Sequence, residues 1–440
     1  MIRLYRMRAW LWSFVLGVPA VLGGCSGDDD SSLEDVCDIR ESGCQRAIFE
    51  ATANARGQSG ARMPGVFSLS IQEFSALLDR GELSSRESDW DSLLPLVNLL
   101  PEGSSVVREI SELRLSNVAA FYDPQTKRVA VIDRGEREDL AEQVFILAHE
   151  FAHALQDTHV DLVAFERAWI TSLDSSVAIR ALVEGEATVL GYAVLDRALT
   201  GSGRRIDWFR ASEGLRASFF ETLGETQTPL LAAEQLAPYA FGLEQLAPLW
   251  RGRGQAAVDA LYGAPPLSLL DWLEDTEVTE RSQIEGLDCL PTAGPPGFEG
   301  RDTDALGPLG VLAVLLYAGT PVESAWRIAR GFRADRLVAF GETSTPDSRA
   351  IAWRIRFASE VLATTFVSRG SSALKPGTAL ESQDREVLYY GTTLPDRLST
   401  WAERDHCGTA AELPNAPPEA PSNAARLRFE VARAARLARH

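Results

Sequence analysis

The sequence predicts a mainly α fold with a small β element, an α+β class, and three stretches carry that prediction. LAEQVFILAHEFAHALQ, residues 140–156, is strongly apolar and follows a capping-box start at Asp139, so it predicts a long buried helix. A second helical pattern begins near Asp174 and continues through SSVAIRALVEGEATVLGYAVLDRAL. Between residues 118 and 132, two β-prone runs flank the turn-like tetrapeptide DPQT, which predicts a hairpin.

The rest of the chain is predicted to form helical or mixed segments. Its length of 440 residues is typical of a protein with one or two domains. Short amphipathic helices are expected within residues 66–116, mostly helix within 205–262, and helix or mixed structure within 305–339 and 346–367. Four parts are predicted: a signal peptide (1–24), a tether and N-terminal segment (25–65), the main domain with helical N- and C-terminal parts (66–410), and a linker with a basic C-terminal helix (411–440).

The first residues resemble a bacterial lipoprotein signal. MIRLYRMR is basic, and the uncharged AWLWSFVLGVPAVLGG after it is shorter than the roughly 20 residues of a membrane span. The stretch ends at Cys25 in LGGC, which is similar to a lipobox, where the cysteine is lipidated and becomes the mature N-terminus. We therefore expect an exported lipoprotein of the bacterial cell envelope, anchored to a membrane through Cys25, with the outer membrane favoured. An ordinary secretory signal with a chance cysteine is the alternative.

The charge balance excludes one class of partner. The formal net charge is −19, and a chain this acidic repels the phosphates of nucleic acids. We therefore expect no nucleic-acid partner.

The cysteines predict disulfides. Besides Cys25, the chain has Cys37, Cys44, Cys289 and Cys407, and an even number in an exported chain suggests two bonds. We favour Cys37 with Cys44, which are close in sequence, and Cys289 with Cys407. No C-x-x-C spacing occurs, which argues against a zinc cluster made of cysteines.

The strongest functional signal is H-E-x-x-H at His149, Glu150 and His153. Residues i and i+4 lie on one helix face, so both imidazoles can reach one metal ion, and Glu150 beside them can act as a general base. The apolar residues around the motif leave it as a polar island, which a divalent cation would compensate. The motif predicts one bound Zn²⁺; a buried helix with satisfied histidines is the alternative.

The third ligand has several candidates. His159 stands where the metzincin pattern H-E-x-x-H-x-x-G-x-x-H places its last histidine, but Gln156 replaces the glycine and no methionine follows for a Met-turn. In LVEGEATVLG, residues 182–191, Glu184 or Glu186 could complete a His₂Glu site and leave the fourth position to water. Small residues near Glu184 predict a close approach of this helix to the first. Periodicity alone does not separate the two glutamates.

A family resemblance bears on that choice. ALVEGEATVLG resembles the E-G-x-A element of gluzincin-type metallopeptidases, in which the first glutamate binds zinc. More broadly, residues 118–370 resemble a group of exported bacterial and archaeal H-E-x-x-H proteins that are classed as metallopeptidases. The matching stretches are FYDPQTKRVAV, AHEFAHALQDTHVDL, ALVEGEATVLG, PYAFG with GRGQAAVDALYGAPPLS, and GFRADRLVAF, whereas DWLED at residues 271–275 departs from the histidine-containing end expected there. The resemblance implies a zincin-like core, with Glu184 as ligand and Glu186 as a candidate group behind the ligands.

Other residues are weaker candidates around the site. Asp157 could orient a histidine through its Nδ1–H, although capping or solvation would equally explain it. A group that stabilises the oxyanion is expected, and Tyr192, Tyr239 and His159 are candidates, each with a structural alternative. The hairpin at residues 118–132 could supply the edge strand along which a zincin binds a peptide, or it could be structural only.

Together these features predict a lipid-anchored zinc metallopeptidase that acts on a peptide or protein substrate. His149, His153 and Glu184 would hold the zinc ion, and Glu150 would take a proton from the attacking water and pass it to the leaving amine. The alternative from another class is a non-catalytic, zincin-like envelope lipoprotein with a binding or structural role. Glu150 favours the enzyme, because a purely structural zinc site needs no base.

Overall fold

The structure, a computed structural model, describes residues 35–79, 90–135, 139–200, 205–273, 286–288, 290–342, 345, 348–402 and 407–408. It is a mixed α+β fold in which helices predominate, so the predicted class is confirmed at that level. The helices are α1 (Ser42–Arg56), α2 (Ile71–Asp79), α3 (Val106–Asn117), α4 (Leu140–Val160), α5 (Leu162–Trp169), α6 (Leu173–Thr200), α7 (Trp208–Glu225), α8 (Pro229–Arg253), α9 (Gln255–Gly263), α10 (Leu270–Leu273), α11 (Gly307–Tyr317), α12 (Val322–Ala329), α13 (Glu360–Gly370) and α14 (Leu398–Ala402).

The strands form three sheets within these residues. They are β1 (Gly65–Ser70), β2 (Ala120–Asp123), β3 (Arg128–Asp133), β4 (Leu290–Pro291), β5 (Phe298–Asp304), β6 (Phe332–Glu342), β7 (Arg349–Phe357), β8 (Thr378–Gln383), β9 (Glu386–Thr392) and β10 (Cys407–Gly408).

Two long helices form the centre of the helical part. The carboxylate of Asp139 accepts the backbone N–H of Ala141, so the predicted capped start of α4 is confirmed. The second predicted helix is α6, which packs against α1, α4 and α8. Apolar side chains of α6 are buried around its whole circumference, as expected for a helix inside the core.

Glycines set the spacing between α6 and α8. A Cβ at Gly242 would lie 2.3 Å from the carbonyl oxygen of Ala181, and a Cβ at Gly185 would lie 2.6 Å from the Cα of Gly242. The two backbones can touch only because both glycines lack a side chain. Ala181 and Gly185 therefore bring α6 against α8, whereas the sequence interpretation places them against α4. The close approach to α4 is made further along α6, at Gly191.

The predicted hairpin is present and belongs to a three-stranded sheet of order β1-β3-β2. β2 pairs antiparallel with β3, and β1 joins β3 in parallel from the other side. The prediction of helices within residues 66–116 is wrong at its start, because residues 66–70 belong to strand β1. Its sequence is short and runs directly into the helix-forming residues of α2, so only the pairing with β3 identifies it as a strand. β2 is an outer strand of the sheet and packs against α4.

A five-stranded antiparallel sheet of order β5-β6-β7-β9-β8 occupies the C-terminal part. The sequence predicts only helix or mixed structure there, and the structure resolves it into this sheet with α11 and α13 packed on it, and with α12 packed on those two helices. The central strands β6 and β7 are buried almost throughout. Their apolar runs therefore lack the in-out alternation by which a half-buried strand is recognised.

The segment before residue 66 adds a helix to the main body. Cys37 and Cys44 are bonded, with an S–S distance of 2.08 Å, so the first predicted disulfide is confirmed. α1 begins at Ser42 and packs on α4 and α6. It ends at Arg56, whose side chain is buried. Residues that the sequence assigns to a tether and N-terminal segment thus contribute to the same core as the metal motif.

Several predictions fall outside the described residues. They concern the signal peptide, Cys25, Cys289, the side chain of Cys407 and the basic C-terminal helix. The backbone of Cys407 lies in β10, opposite Pro291 of β4. Within the described ranges, no helix combines the length and apolar character that crossing a membrane requires.

Candidate metal centre

Three side chains from two helices converge at one point. The Nε2 atoms of His149 and His153, one turn apart on α4, lie 3.1 Å from each other. Oε2 of Glu184, on α6, lies 3.2 Å from the Nε2 of His149 and 3.4 Å from that of His153. Among the described residues, this is the one group of three His, Cys, Asp or Glu side chains whose donor atoms all lie within 4.8 Å of one another.

The structure separates the two glutamates that periodicity leaves open. Glu184 faces the histidines of α4. Arg180, one turn earlier on α6, places its guanidinium 3.9 Å from the other carboxylate oxygen of Glu184. Glu186 is directed elsewhere, into a buried network with α1 and α9. The resemblance to the E-G-x-A element and the geometry thus indicate the same residue, Glu184.

Gln156 fixes the ring of His153. Its side-chain Nε2 donates to the carbonyl oxygen of Val183 at 2.8 Å and to Glu186 at 2.9 Å, and both of these partners can only accept. Its Oε1 therefore faces His153, 2.8 Å from the Nδ1 atom, which must carry the proton. In the neutral ring, the lone pair is then on Nε2, which lies beside His149 and Glu184. That tautomer is the one a metal ligand requires.

Glu186 is the centre of the network behind the ligands. It is only 1% exposed, and its Oε1 lies 3.0 Å from the Nε of Arg56. It also accepts hydrogen bonds from Gln255 at 2.6 Å, from the hydroxyl of Tyr262 at 2.5 Å and from Gln156. A buried carboxylate needs such partners to offset its lost hydration. Through Glu186 and Gln156, helix α1 is connected to the candidate metal centre.

Glu150 follows His149 in sequence, but its carboxylate does not join the three converging atoms. Its Oε2 accepts the backbone N–H of Tyr122, on β2, at 2.7 Å. The side chain is buried and lines the same cavity as His149. Glu150 is therefore held at the wall of the cavity that His149 also lines.

Opposite charges are coupled within the converging group. Burial favours a higher pKa for Glu184, but His153 and the hydrogen bond from His149 outweigh burial and hold that pKa well below its usual value. Burial favours a lower pKa for His153, but Glu184 outweighs burial and raises it to about 9. The ionised carboxylate thus requires a positive charge beside it, which is either a proton on His153 or a cation. Two imidazole nitrogens and one carboxylate oxygen are also the donor set of His₂Glu zinc sites.

Of the two tyrosine candidates, Tyr239 is the one in contact with two of the candidate ligands. Its ring stacks on His149, with centroids 5.8 Å apart, and its hydroxyl bonds Glu184. Burial, followed by the charge of Glu184, raises the pKa of Tyr239 well above its usual value, so the hydroxyl keeps its proton and can donate it in a hydrogen bond. Tyr192 lines the same cavity but packs against Phe145, with centroids 4.7 Å apart.

Two predicted residues lie away from the site. The carboxylate of Asp157 accepts the hydroxyl of Tyr122 at 2.7 Å and pairs with the ammonium of Lys127, so it fastens the hairpin to α4 and does not orient a histidine. His159 is partly exposed near the end of α4, with its Nε2 3.7 Å from Asp259. It is neither among the converging donors nor on the cavity wall.

No protein-family model, curated relative or solved structure matches this chain. The membership in a gluzincin-like group that the motifs suggest therefore stays a prediction, as does the zincin-like character of the core. The convergence of His149, His153 and Glu184 is seen in the structure itself and does not depend on any relative.

Sequence reasoning missed several residues of the site. From the sequence, Gln156 is considered only because it replaces the glycine of the metzincin pattern. Its position three residues after His153 puts both on the same helix face, which could have indicated the contact between them. Arg56, Arg180 and Gln255 have no local signal. A buried glutamate such as Glu186 predicts that some cation lies nearby, but not which one.

Proposed function

We propose that this chain is a zinc-dependent hydrolase that cleaves peptide bonds. The observation that carries the proposal is the convergence of His149 Nε2, His153 Nε2 and Glu184 Oε2 within 3.1–3.4 Å of one another, with Glu150 beside them on the wall of a cavity. Three donors from the protein leave coordination positions open for water and substrate, which is typical of catalytic rather than structural zinc.

The donor set fits zinc. When bound, Zn²⁺ supplies a Lewis acid that acidifies a water and polarises a carbonyl oxygen. The chain contributes the orientation of its ligands, because Gln156 fixes the tautomer of His153 and Arg180 lies beside Glu184. The negative charge of Glu184 beside two imidazoles favours a divalent cation at this buried point.

Glu150 is proposed as the general base. Its carboxylate takes a proton from the attacking water as the new C–O bond forms, and then gives that proton to the amine nitrogen as the peptide C–N bond breaks. The backbone N–H of Tyr122 holds one oxygen of Glu150 in place. Tyr239 is proposed to turn its one O–H from Glu184 to the oxygen of the attacked carbonyl when substrate binds, because this hydroxyl is protonated and its ring lies against His149.

The outer strand β2 is proposed as the backbone guide for a peptide. It lies at the edge of its sheet and reaches the catalytic candidate directly, through the bond from Tyr122 to Glu150. Free backbone groups at a sheet edge pair with an extended peptide, which would then lie beside α4.

We also propose that the chain lies in the bacterial cell envelope, where a lipidated Cys25 anchors it to a membrane. The LGGC sequence supports this proposal. Cys25→Ser is expected to release the protein from the membrane fraction of cells that express the full chain. If the variant sediments with membranes as the wild type does, the anchor is wrong.

The experiment that tests the function is hydrolysis of casein by the purified protein. The wild type is expected to be active, to lose activity on treatment with a chelator and to regain it with Zn²⁺. Glu150→Gln keeps the shape of the side chain but cannot take the proton, so it is expected to lose at least about 100-fold in rate while it keeps its zinc. Glu213→Gln, an exposed change on α7, is the control. Equal rates in the Glu150→Gln and wild-type proteins would remove the proposed base.

A further inference from the structure

A cavity of about 230 Å³ opens directly beside the metal centre. His149 and Glu150 form part of its wall, together with Tyr239. The remaining wall comes from α3, α4, α6, α7, α8 and the start of β2. The cavity is therefore continuous with the candidate catalytic group, and anything bound in it lies next to the reacting atoms.

The wall of the cavity is mostly apolar. Its side chains include Phe145, Ile146, Leu215, Phe219, Leu236 and Ala240. Phe145, Phe219 and Ala240 are buried, and they belong to the main hydrophobic core. The space is thus walled mainly by packed helices. Arg114, Asn117 and Gln235 also line the cavity, but apolar groups make up most of its wall, so an apolar group placed in it would gain from leaving water.

The size of the cavity indicates what it can hold. Pockets for whole drug-sized molecules measure roughly 300–1,000 Å³, which is larger than this one. A dry cavity of about 150 Å³ lined by Leu, Ile and Phe is sufficient to bind benzene. A volume of about 230 Å³ therefore holds one aromatic ring with its connecting carbon and leaves the rest of a substrate outside.

We propose that this cavity binds an aromatic side chain of the substrate, on a residue next to the bond that is cleaved. The proposal rests on the proposed function, because it takes the group at His149, His153 and Glu184 as the place of cleavage. The substrates are then peptides or unfolded protein segments that contain Phe, Tyr or Trp.

The first test is the cleavage pattern of the purified full-length protein on a peptide mixture of known sequences. Aromatic residues are expected at one fixed position beside the cleaved bond. Matched peptides with Phe or Ala at that position are expected to differ at least about tenfold in kcat/KM. Cleavage with no preference for aromatic residues at any flanking position would overturn the inference and leave the proposed function intact.

Two substitutions fill the cavity from its half-buried wall. Leu215→Trp on α7 and Leu236→Trp on α8 both place an indole where the substrate ring is proposed to bind. Each is expected to reduce the preference for Phe over Ala at least about tenfold, chiefly through loss of activity on the aromatic peptide. Leu316→Trp, at a half-buried leucine of α11 that does not line this cavity, is the matched control and is expected to keep the preference. Two independent filling variants guard against a fold defect in either one.

A binding test without catalysis separates failure of the inference from failure of the proposed function. Metal-free protein is mixed with N-acetyl-para-fluorophenylalaninamide and followed by fluorine NMR. The fluorine signal is expected to broaden with the wild type and Leu316→Trp, but not with Leu215→Trp or Leu236→Trp. Binding without any peptide hydrolysis would reject the proposed function and keep the aromatic site. Equal broadening in the wild type and both filling variants, or none in the wild type, would overturn the site.

Discussion

Oε1 of Gln156 accepts the Nδ1–H of His153 at 2.8 Å, and this bond determines which ring nitrogen faces the other candidate ligands. The amide can adopt only this orientation, since its Nε2 donates to Val183 and Glu186. The tautomer of one candidate ligand therefore depends on a residue that is not itself a candidate ligand.

Removing that bond is expected to weaken metal binding. Gln156→Met keeps the length and apolar stem of the side chain but leaves Nδ1 of His153 without its acceptor, so the ring loses its fixed tautomer. We expect the zinc dissociation constant to rise about 10–100-fold in a competition with a chelator. Gln143→Met, at another buried glutamine of α4, is the matched control and should leave the constant within about twofold of the wild type. Equal effects of the two substitutions would assign Gln156 a role in packing only.

The contact between α6 and α8 provides a second prediction. Gly242→Ala would put a Cβ 2.3 Å from the carbonyl oxygen of Ala181, so the helices must separate near Glu184. We expect a loss of at least about 1–3 kcal/mol in the free energy of unfolding, with weaker zinc binding. Gly252→Ala on the same helix meets nothing within 4 Å and is expected to be neutral or stabilising by up to about 1 kcal/mol. Similar unfolding midpoints for the two variants would show that α8 can move away from α6 with no loss of stability.

Breaking the buried ion pair of Arg56 and Glu186 is expected to lower the stability of the fold, because the substitution leaves one buried charge without its partner. Arg56→Met removes the cation from a carboxylate that is 1% exposed, and we expect a loss of about 3–5 kcal/mol in denaturant unfolding. Arg46→Met, at an exposed position of the same helix, should change stability by less than about 0.5 kcal/mol. If Arg56→Met is as stable as Arg46→Met, α1 is not held by this pair.

A pH dependence of stability is expected from Asp174, at the start of α6. Burial raises its pKa to about 7, and Ser268 and Leu269 only partly oppose burial by hydrogen bonding. The folded protein then holds a proton that the unfolded chain releases near pH 4. The resulting stability is fully present below about pH 4 and is lost as the pH rises through about 7. Asp174→Asn keeps the acceptor for Leu269 and removes the titration. The melting temperature of this variant, relative to the wild type, should therefore increase from pH 5 to pH 8; a constant difference would contradict the assignment.

The sequence predicts part of this site because part of it is local. The four-residue spacing of His149 and His153 places both on one face of a helix, whatever the rest of the fold does. Glu184 and Glu186 cannot be separated in that way, because α6 is buried on all sides and gives no stripe that identifies its face. The family resemblance indicates Glu184, and the structure reaches the same residue through distances.

Long-range contacts account for what the sequence does not predict. Arg56 pairs with Glu186 only because α1 packs on α6, and no local pattern in residues 42–56 specifies that packing. Strands β6 and β7 are missed for a similar reason. Their buried apolar sequences resemble those of core helices, and only their pairing with each other identifies them as strands. The hairpin β2–β3 is predicted well, since its turn residues are adjacent in the sequence.

The central claim is that His149, His153 and Glu184 hold one zinc ion, and metal content tests it most directly. Purified wild type, Glu184→Ala and His159→Ala are each loaded with Zn²⁺, dialysed against a weak chelator and measured for zinc per chain. We expect about one zinc in the wild type and in His159→Ala, and little in Glu184→Ala, because two imidazoles alone hold the ion weakly. Zinc retained by Glu184→Ala but lost from His159→Ala, or absent from the wild type after loading, would contradict the assignment.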